Sequence, residues 1–90
     1  MAKLYTRSVV TVHTRCEEGV SYDVPSDDEY RVCALGHGRW SVTREDGYHR
    51  VLRTAELQRF ISGLRRRYAS GYWSSGEPQY FVDEVYITRA

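Results

Sequence analysis

The feature that most constrains this sequence is an apolar stripe in the segment Thr54 to Ser70. Its members recur at the spacings that place side chains on one face of an α-helix. They are Leu57, Phe60, Ile61, Leu64 and Tyr68. The pattern predicts an amphipathic helix over residues 54–70 with an arginine-rich outer face. We expect the Thr54 hydroxyl to cap this helix and Gly71 to end it in the left-handed conformation.

The other apolar residues alternate with a period of two, which is typical of strands with one buried face. The predicted strands are Leu4 to Thr14, Val20 to Val24, Tyr30 to Leu35, Arg39 to Arg44, Tyr48 to Arg53 and Gln79 to Thr88. The first two are expected to form a hairpin, and the last to lie in a central or well-covered position. Gly36-His37-Gly38 and Asp46-Gly47 predict tight turns. Pro25 to Glu29 and Tyr72 to Pro78 are expected to be loops.

The element order βββββαβ predicts an α+β fold. In this fold an antiparallel sheet of five to six strands carries one amphipathic helix on one face, in a single domain of residues 1–90. The chain is 41% hydrophobic and 28% charged, which is ordinary for a folded protein. No segment approaches the roughly 20 apolar residues of a membrane span. Without a secretory leader, we expect a cytoplasmic protein with free thiols at Cys16 and Cys33; export would allow one bridge between them.

The charged residues are segregated along the chain, although the formal net charge is only +1. Residues 17–29 contain six of the 12 acidic residues and no Lys or Arg. The predicted acidic surface consists of Glu17, Glu18, Asp23, Asp27, Asp28 and Glu29. Carboxylates grouped in this way can mimic phosphates for a basic nucleic-acid-binding protein, or they can simply keep a loop solvated.

Arginines and aromatic residues are interleaved at the end of the predicted helix. The predicted binding surface consists of Arg59, Arg65, Arg66, Arg67, Tyr72 and Trp73. This composition suits nucleic acid and also suits protein-interface hot spots. The arginines can equally solvate the helix while Trp73 holds the loop to the sheet. Because a helix C-terminus does not favour phosphates, a protein partner is the preferred interpretation.

No catalytic or metal-binding motif is present, so we expect no enzyme activity, no cofactor and no metal. His37 between two glycines is the best candidate for a reactive histidine. A small ribonuclease using His37 or His49 with Arg and Tyr is therefore the enzymatic alternative. The eight tyrosines exceed what a small core can bury with satisfied hydroxyls, which favours a binding surface.

The size and layout of the chain are similar to those of some anti-CRISPR proteins, compact inhibitors carried by bacteriophages. The residues that carry this resemblance are Leu4 to Thr14, Arg39-Trp40-Ser41-Val42, Tyr48 to Arg53 around Asp46-Gly47, and Thr54-Ala55-Glu56-Leu57-Gln58-Arg59-Phe60. It implies a phage or mobile-element protein that blocks a defence complex processing nucleic acid in a bacterial host. Direct DNA or RNA binding is the alternative. No membrane partner is expected, whereas an exposed edge strand would permit a homodimer.

Overall fold

The computed structural model describes residues 4–17 and 28–90 as a six-stranded antiparallel sheet with one helix. The predicted α+β class, with a helix packed on one face of the sheet, is confirmed. The spatial order of the strands is β4-β3-β2-β1-β6-β5. The elements are β1 (Arg7–Cys16), β2 (Asp28–Gly36), β3 (Arg39–Thr43), β4 (His49–Arg53), α1 (Thr54–Leu64), β5 (Arg66–Tyr72) and β6 (Pro78–Arg89).

Both predicted tight turns connect neighbouring strands. Gly36, His37 and Gly38 all have positive φ values, between 56° and 86°, in the turn between β2 and β3. Gly47 has a φ of 93° in the turn between β3 and β4, and the Asp46 carboxylate accepts a hydrogen bond from the backbone N–H of Tyr48. A β-branched or bulky residue is strained at such φ values, which explains the glycines.

The core lies between α1 and one face of the sheet, which we call the covered face. Val10 and Val12 of β1 alternate with more exposed residues, as the period-two pattern predicts. Leu57 is completely buried and Ile61 is 7% exposed, so the stripe of α1 packs against these valines. The buried members of the core are Val10, Val12, Tyr30, Val32, Val42, Leu52, Leu57 and Ile61.

The predicted C-terminal end of the helix is wrong. The helix ends at Leu64, and Arg65 already has extended backbone angles of φ −80° and ψ 113°. Residues 66–72 form β5, in which Tyr68 lies opposite Phe81 and Gly71 lies opposite Gln79. Gly63 weakens the last turn of the helix, and the hydrogen bonds to β6 stabilise the extended form beyond it. Two strands rather than one therefore follow the helix.

The beginning of the helix also differs in detail from the prediction. Arg53, not Thr54, is the N-cap residue, and its backbone N–H donates to the Glu56 carboxylate at 3.1 Å. The Thr54 hydroxyl instead accepts a hydrogen bond from the indole of Trp40 at 3.0 Å. Glu56 lies in the first turn as predicted, where the helix dipole favours an anion.

The other predicted strands correspond to β1, β2, β3, β4 and β6, with ends that differ by at most three residues. The largest difference is at the start of β1, which begins at Arg7 and not at Leu4. β6 lies between β1 and β5, which confirms its predicted central position. Asp28 and Glu29 begin β2, so the prediction that they belong to a loop is wrong. The predicted strand Val20 to Val24, its hairpin with the first strand, and the loop residues 25–27 lie outside the described residues.

Candidate functional site

The six residues of the predicted binding surface do not form one surface. Arg59 is exposed on α1, and Arg65 is exposed in the link to β5. Because successive residues of a strand point to opposite sides, Arg66 and Arg67 lie on opposite faces of the sheet. Tyr72 is 77% exposed at the end of β5, whereas Trp73 is half-buried in the turn that follows. The arginine run is therefore divided by the strand that the sequence pattern did not predict.

Arg66 has a structural partner in Asp83 of β6. The carboxylate of Asp83 is almost fully buried on the same face of the sheet as the core. It accepts two bonds from the Arg66 guanidinium, at 3.1 and 3.0 Å, and one from the Thr14 hydroxyl at 2.6 Å. The Tyr68 hydroxyl lies 3.4 Å from the same carboxylate. These contacts join β1, β6 and β5 through one buried anion.

Arg67 connects the predicted basic and acidic surfaces. Its guanidinium donates to the Glu17 carboxylate at 2.7 Å and lies 3.9 Å from the centre of the Tyr80 ring. On the acidic side, Asp28 accepts a bond from Arg44 at 3.2 Å, and Glu29 is exposed on β2. Glu18, Asp23 and Asp27 lie outside the described residues. Two of the three described acidic residues are thus ion-paired with arginine, which reduces their value as free phosphate mimics.

The face of the sheet opposite α1, which we call the open face, carries a different set of arginines. Five exposed arginines lie on its β1–β4 half. Arg15 of β1 is paired with Glu84 of β6. The other four, one on each strand, are called the open-face arginine cluster. They are Arg7, Arg31, Arg39 and Arg53. Within residues 4–17 and 28–90, none of the four has an ion pair with an acidic side chain. The cluster is therefore a concentrated, uncompensated positive charge.

The strand register shows how the cluster is arranged. Arg7 lies opposite Cys33, and Cys33 lies opposite Ser41, so small side chains occupy the middle of the patch. Arg39 and Arg53 are direct cross-strand partners at the edge of the sheet. Like charges in such pairs repel each other, because their Cβ atoms are only about 5 Å apart.

A second charged group lies on the open face where β1 pairs with β6. The Glu84 carboxylate accepts hydrogen bonds from the Tyr86 hydroxyl and from Arg15. The Tyr86 bond, followed by the Arg15 bond, lowers the pKa of Glu84 from its ordinary value of 4.5. The same contact with Glu84 raises the pKa of Tyr86 above its ordinary value of 10.0. The ring of Tyr86 still exposes a flat surface, since the side chain is 51% exposed.

Replacing Tyr86 with phenylalanine is expected to raise the pKa of Glu84 toward 4.5, because the strongest hydrogen bond to the carboxylate is lost. A lowered pKa in the folded state means that Glu84 stabilises the fold above its unfolded pKa, and that this stabilisation disappears as the pH falls through the folded pKa. Carboxyl carbon NMR measures the titration directly. Tyr72→Phe, which changes a 77% exposed ring on β5, is the control. An unchanged Glu84 titration in Tyr86→Phe would contradict the assignment.

The ribonuclease alternative, which uses either His37 or His49, stays a prediction. His37 lies in the turn before β3, whereas His49 begins β4 opposite Thr43 at the far end of β3. A site of this kind would therefore contain one of these two histidines and not both. His13 of β1 lies directly opposite Glu84, whose carboxylate also accepts hydrogen bonds from Tyr86 and Arg15.

The open-face arginine cluster could have been found from the sequence only with the correct strand pairing. Its members are separated by eight to 24 positions along the chain, and each alternates with apolar or small residues. The contiguous run Arg65 to Arg67 is more conspicuous, but contiguity along a strand separates side chains rather than grouping them.

Neither a metal site nor a membrane-spanning helix is found in the described part of the chain. Within it, no three His, Cys, Asp or Glu side chains are grouped so that they could hold a metal ion. No described helix is long and apolar enough to cross a membrane. Cys16 is buried on the covered face and Cys33 lies on the open face, so the two thiols are on opposite sides of the sheet. Compared with protein families, with curated proteins and with solved structures, the chain has no match.

Proposed function

We propose that this chain is a non-enzymatic binding protein of phage or mobile-element origin. In this proposal it inhibits a nucleic-acid-processing defence complex in the bacterial cytoplasm, as anti-CRISPR proteins do. The observation that carries the proposal is the open-face arginine cluster, four exposed and uncompensated arginines on the side of the sheet away from α1. Exposed Tyr72 and Tyr86 add the aromatic surface that protein interfaces favour.

The proposal is tested by expressing the chain in bacteria that carry an active CRISPR system. We expect phage plating to be restored, and the purified chain to bind the surveillance complex directly. The double variant Arg39→Gln/Arg53→Gln should lose both effects. Arg59→Gln/Arg65→Gln removes the same charge from the helix side and should keep them. If a panel of surveillance complexes neither binds the chain nor loses activity, the inhibitor proposal is wrong.

Direct nucleic-acid binding is the second candidate, and the charge balance of the open face favours it. On the β1–β4 half of that face, the described residues include five arginines, of which Arg15 is paired with Glu84 of β6, and one carboxylate, Glu29. Competition with excess oligonucleotide separates the two candidates. A contact with a protein surface of the complex persists in the presence of free oligonucleotide, whereas a contact with nucleic acid is displaced.

A further inference from the structure

We propose that the open face over β1–β4 and the adjoining strand β6 is a binding site for single-stranded nucleic acid. In this site the open-face arginine cluster contacts the phosphates, and the ring of Tyr86 stacks on a base. The inference does not depend on the inhibitor function, since it concerns a ligand that the isolated chain binds by itself.

Charge complementarity is the first argument for a polyanion. The four arginines lie within one half of one face, whereas the whole chain has a net charge of only +1. Arginine forks match phosphate oxygens and remain charged at every physiological pH. When the phosphates of a nucleic acid are neutralised by these arginines, their counterions are released. Counterion release supplies most of the affinity of non-specific nucleic-acid binding.

The pairing of Arg39 with Arg53 is the second argument. The two residues lie directly opposite each other on neighbouring strands, where like charges destabilise the sheet. No described acidic side chain forms an ion pair with either guanidinium. A phosphate placed between them converts this repulsion into two favourable contacts, so the unliganded arrangement is suited to an anion.

The shape of the face favours a single strand over a duplex. The only described helix, α1, packs on the covered face, so no described helix projects from the open face into a groove. Neighbouring strands lie about 4.8 Å apart, and alternate residues of one strand about 7 Å apart, which is the scale of successive phosphates in an extended strand. Tyr86 is 51% exposed on the same face, and its ring can stack only on an unpaired base.

The centre of the patch leaves room for a chain of phosphates. Protein interfaces concentrate large aromatic side chains in a core that is poor in charge. Here the middle of the patch contains Cys33, Ser41 and the half-exposed Val51 but no aromatic side chain among the described residues, while the charged arginines surround it. A chain of phosphates can contact the surrounding arginines across this centre.

The test is fluorescence anisotropy with labelled oligothymidylate and oligouridylate of about 16 nucleotides, a length that spans a site of this kind. The full chain is titrated between about 50 and 200 mM salt. We expect binding that weakens steeply with salt. Arg39→Gln/Arg53→Gln should weaken binding about tenfold or more and reduce the salt dependence by about two phosphate contacts.

Matched variants make the result specific to this face. Arg59→Gln/Arg65→Gln removes the same charge from the helix side and should change the affinity less than about threefold. Tyr86→Ala should weaken binding about fivefold or more without changing the salt dependence, because stacking releases no counterions. Arg39→Gln/Arg53→Gln relieves a repulsion, so circular dichroism should show that it remains folded.

Three results would overturn the proposal. The first is no binding at low salt, and the second is an equal loss in both double variants. The third is binding of polyglutamate, or of a duplex of the same length, that is as tight as or tighter than binding of the single strand. Tight polyglutamate binding would assign the face to an acidic protein, and tight duplex binding would assign it to the backbone of double-stranded nucleic acid. Failure of the phage plating assay would not contradict oligonucleotide binding, and absence of oligonucleotide binding would not contradict the inhibitor proposal.

Discussion

Replacing Leu57 with alanine is expected to destabilise the protein by about 3 kcal/mol, the typical cost of deleting a buried leucine side chain. Leu57 is completely buried and anchors α1 to the valines of the covered face. A domain of this size has roughly 5–13 kcal/mol of total stability, so the variant should lose a large part of it. Leu57 and Ile61 are the two buried residues of α1, so the helix depends on them for its contact with the sheet.

Urea unfolding followed by circular dichroism measures this effect as a lower midpoint at an unchanged slope. Gln58→Ala is the matched control, because Gln58 is the next residue of the same helix and is exposed. Its effect should stay within about 0.5 kcal/mol. If Leu57→Ala costs no more than Gln58→Ala, then the helix does not pack on the sheet in the way described.

Replacing Asp83 with asparagine is expected to cost about 2–3 kcal/mol, since the buried carboxylate is the common acceptor for three side chains. Thr14, Arg66 and Tyr68 all direct donor groups toward it. An amide offers one acceptor oxygen and brings an NH₂ donor against the remaining donors. The expected loss of stability is moderate because the Arg66 side chain is 67% exposed, so water solvates the cation when the ion pair is broken.

The loss of stability in Asp83→Asn should be concentrated in β5. Asp83 lies opposite Arg66 in the register of β5 with β6, so the amides of residues 66–69 should exchange faster with solvent in Asp83→Asn. Glu77→Gln, in the exposed turn before β6, is the isosteric control and should change neither stability nor exchange. Unchanged protection of β5 would show that the buried ion pair does not hold this strand.

The arginines of the contiguous run and those of the open face have different roles. Arg66 has a structural role, because it forms an ion pair with Asp83 on the covered face. Arg67 is also paired, with Glu17, which leaves Arg65 as the member of the run without a described ion pair. The arginines available for a ligand are instead spread over four strands. A run of charge in a sequence is therefore a poor guide to a charged surface when the run lies in a strand.

Several elements could be predicted because their causes are local. The Asp46-Gly47 turn depends on one backbone conformation that glycine allows, and the start of α1 depends on an apolar stripe containing Leu57 and Ile61. The alternation of Val10 and Val12 with polar residues identifies β1 and its buried face. In each case the relevant interactions connect residues within a few positions, so the pattern contains the information.

The tertiary structure determined the features that depend on contacts between residues far apart in the chain, namely β5 and the open-face arginine cluster. Residues 66–72 continue the helical spacing through Tyr68, yet they form a strand because β6 supplies the hydrogen bonds and the Asp83 carboxylate supplies a partner for Arg66. The open-face arginine cluster exists only because the order β4-β3-β2-β1 brings four separate strands side by side. The sequence by itself determined the α+β class, the helix start and the turns. Strand pairing, which is set by contacts between residues far apart in the chain, determined which charges are neutralised and which remain exposed to a ligand.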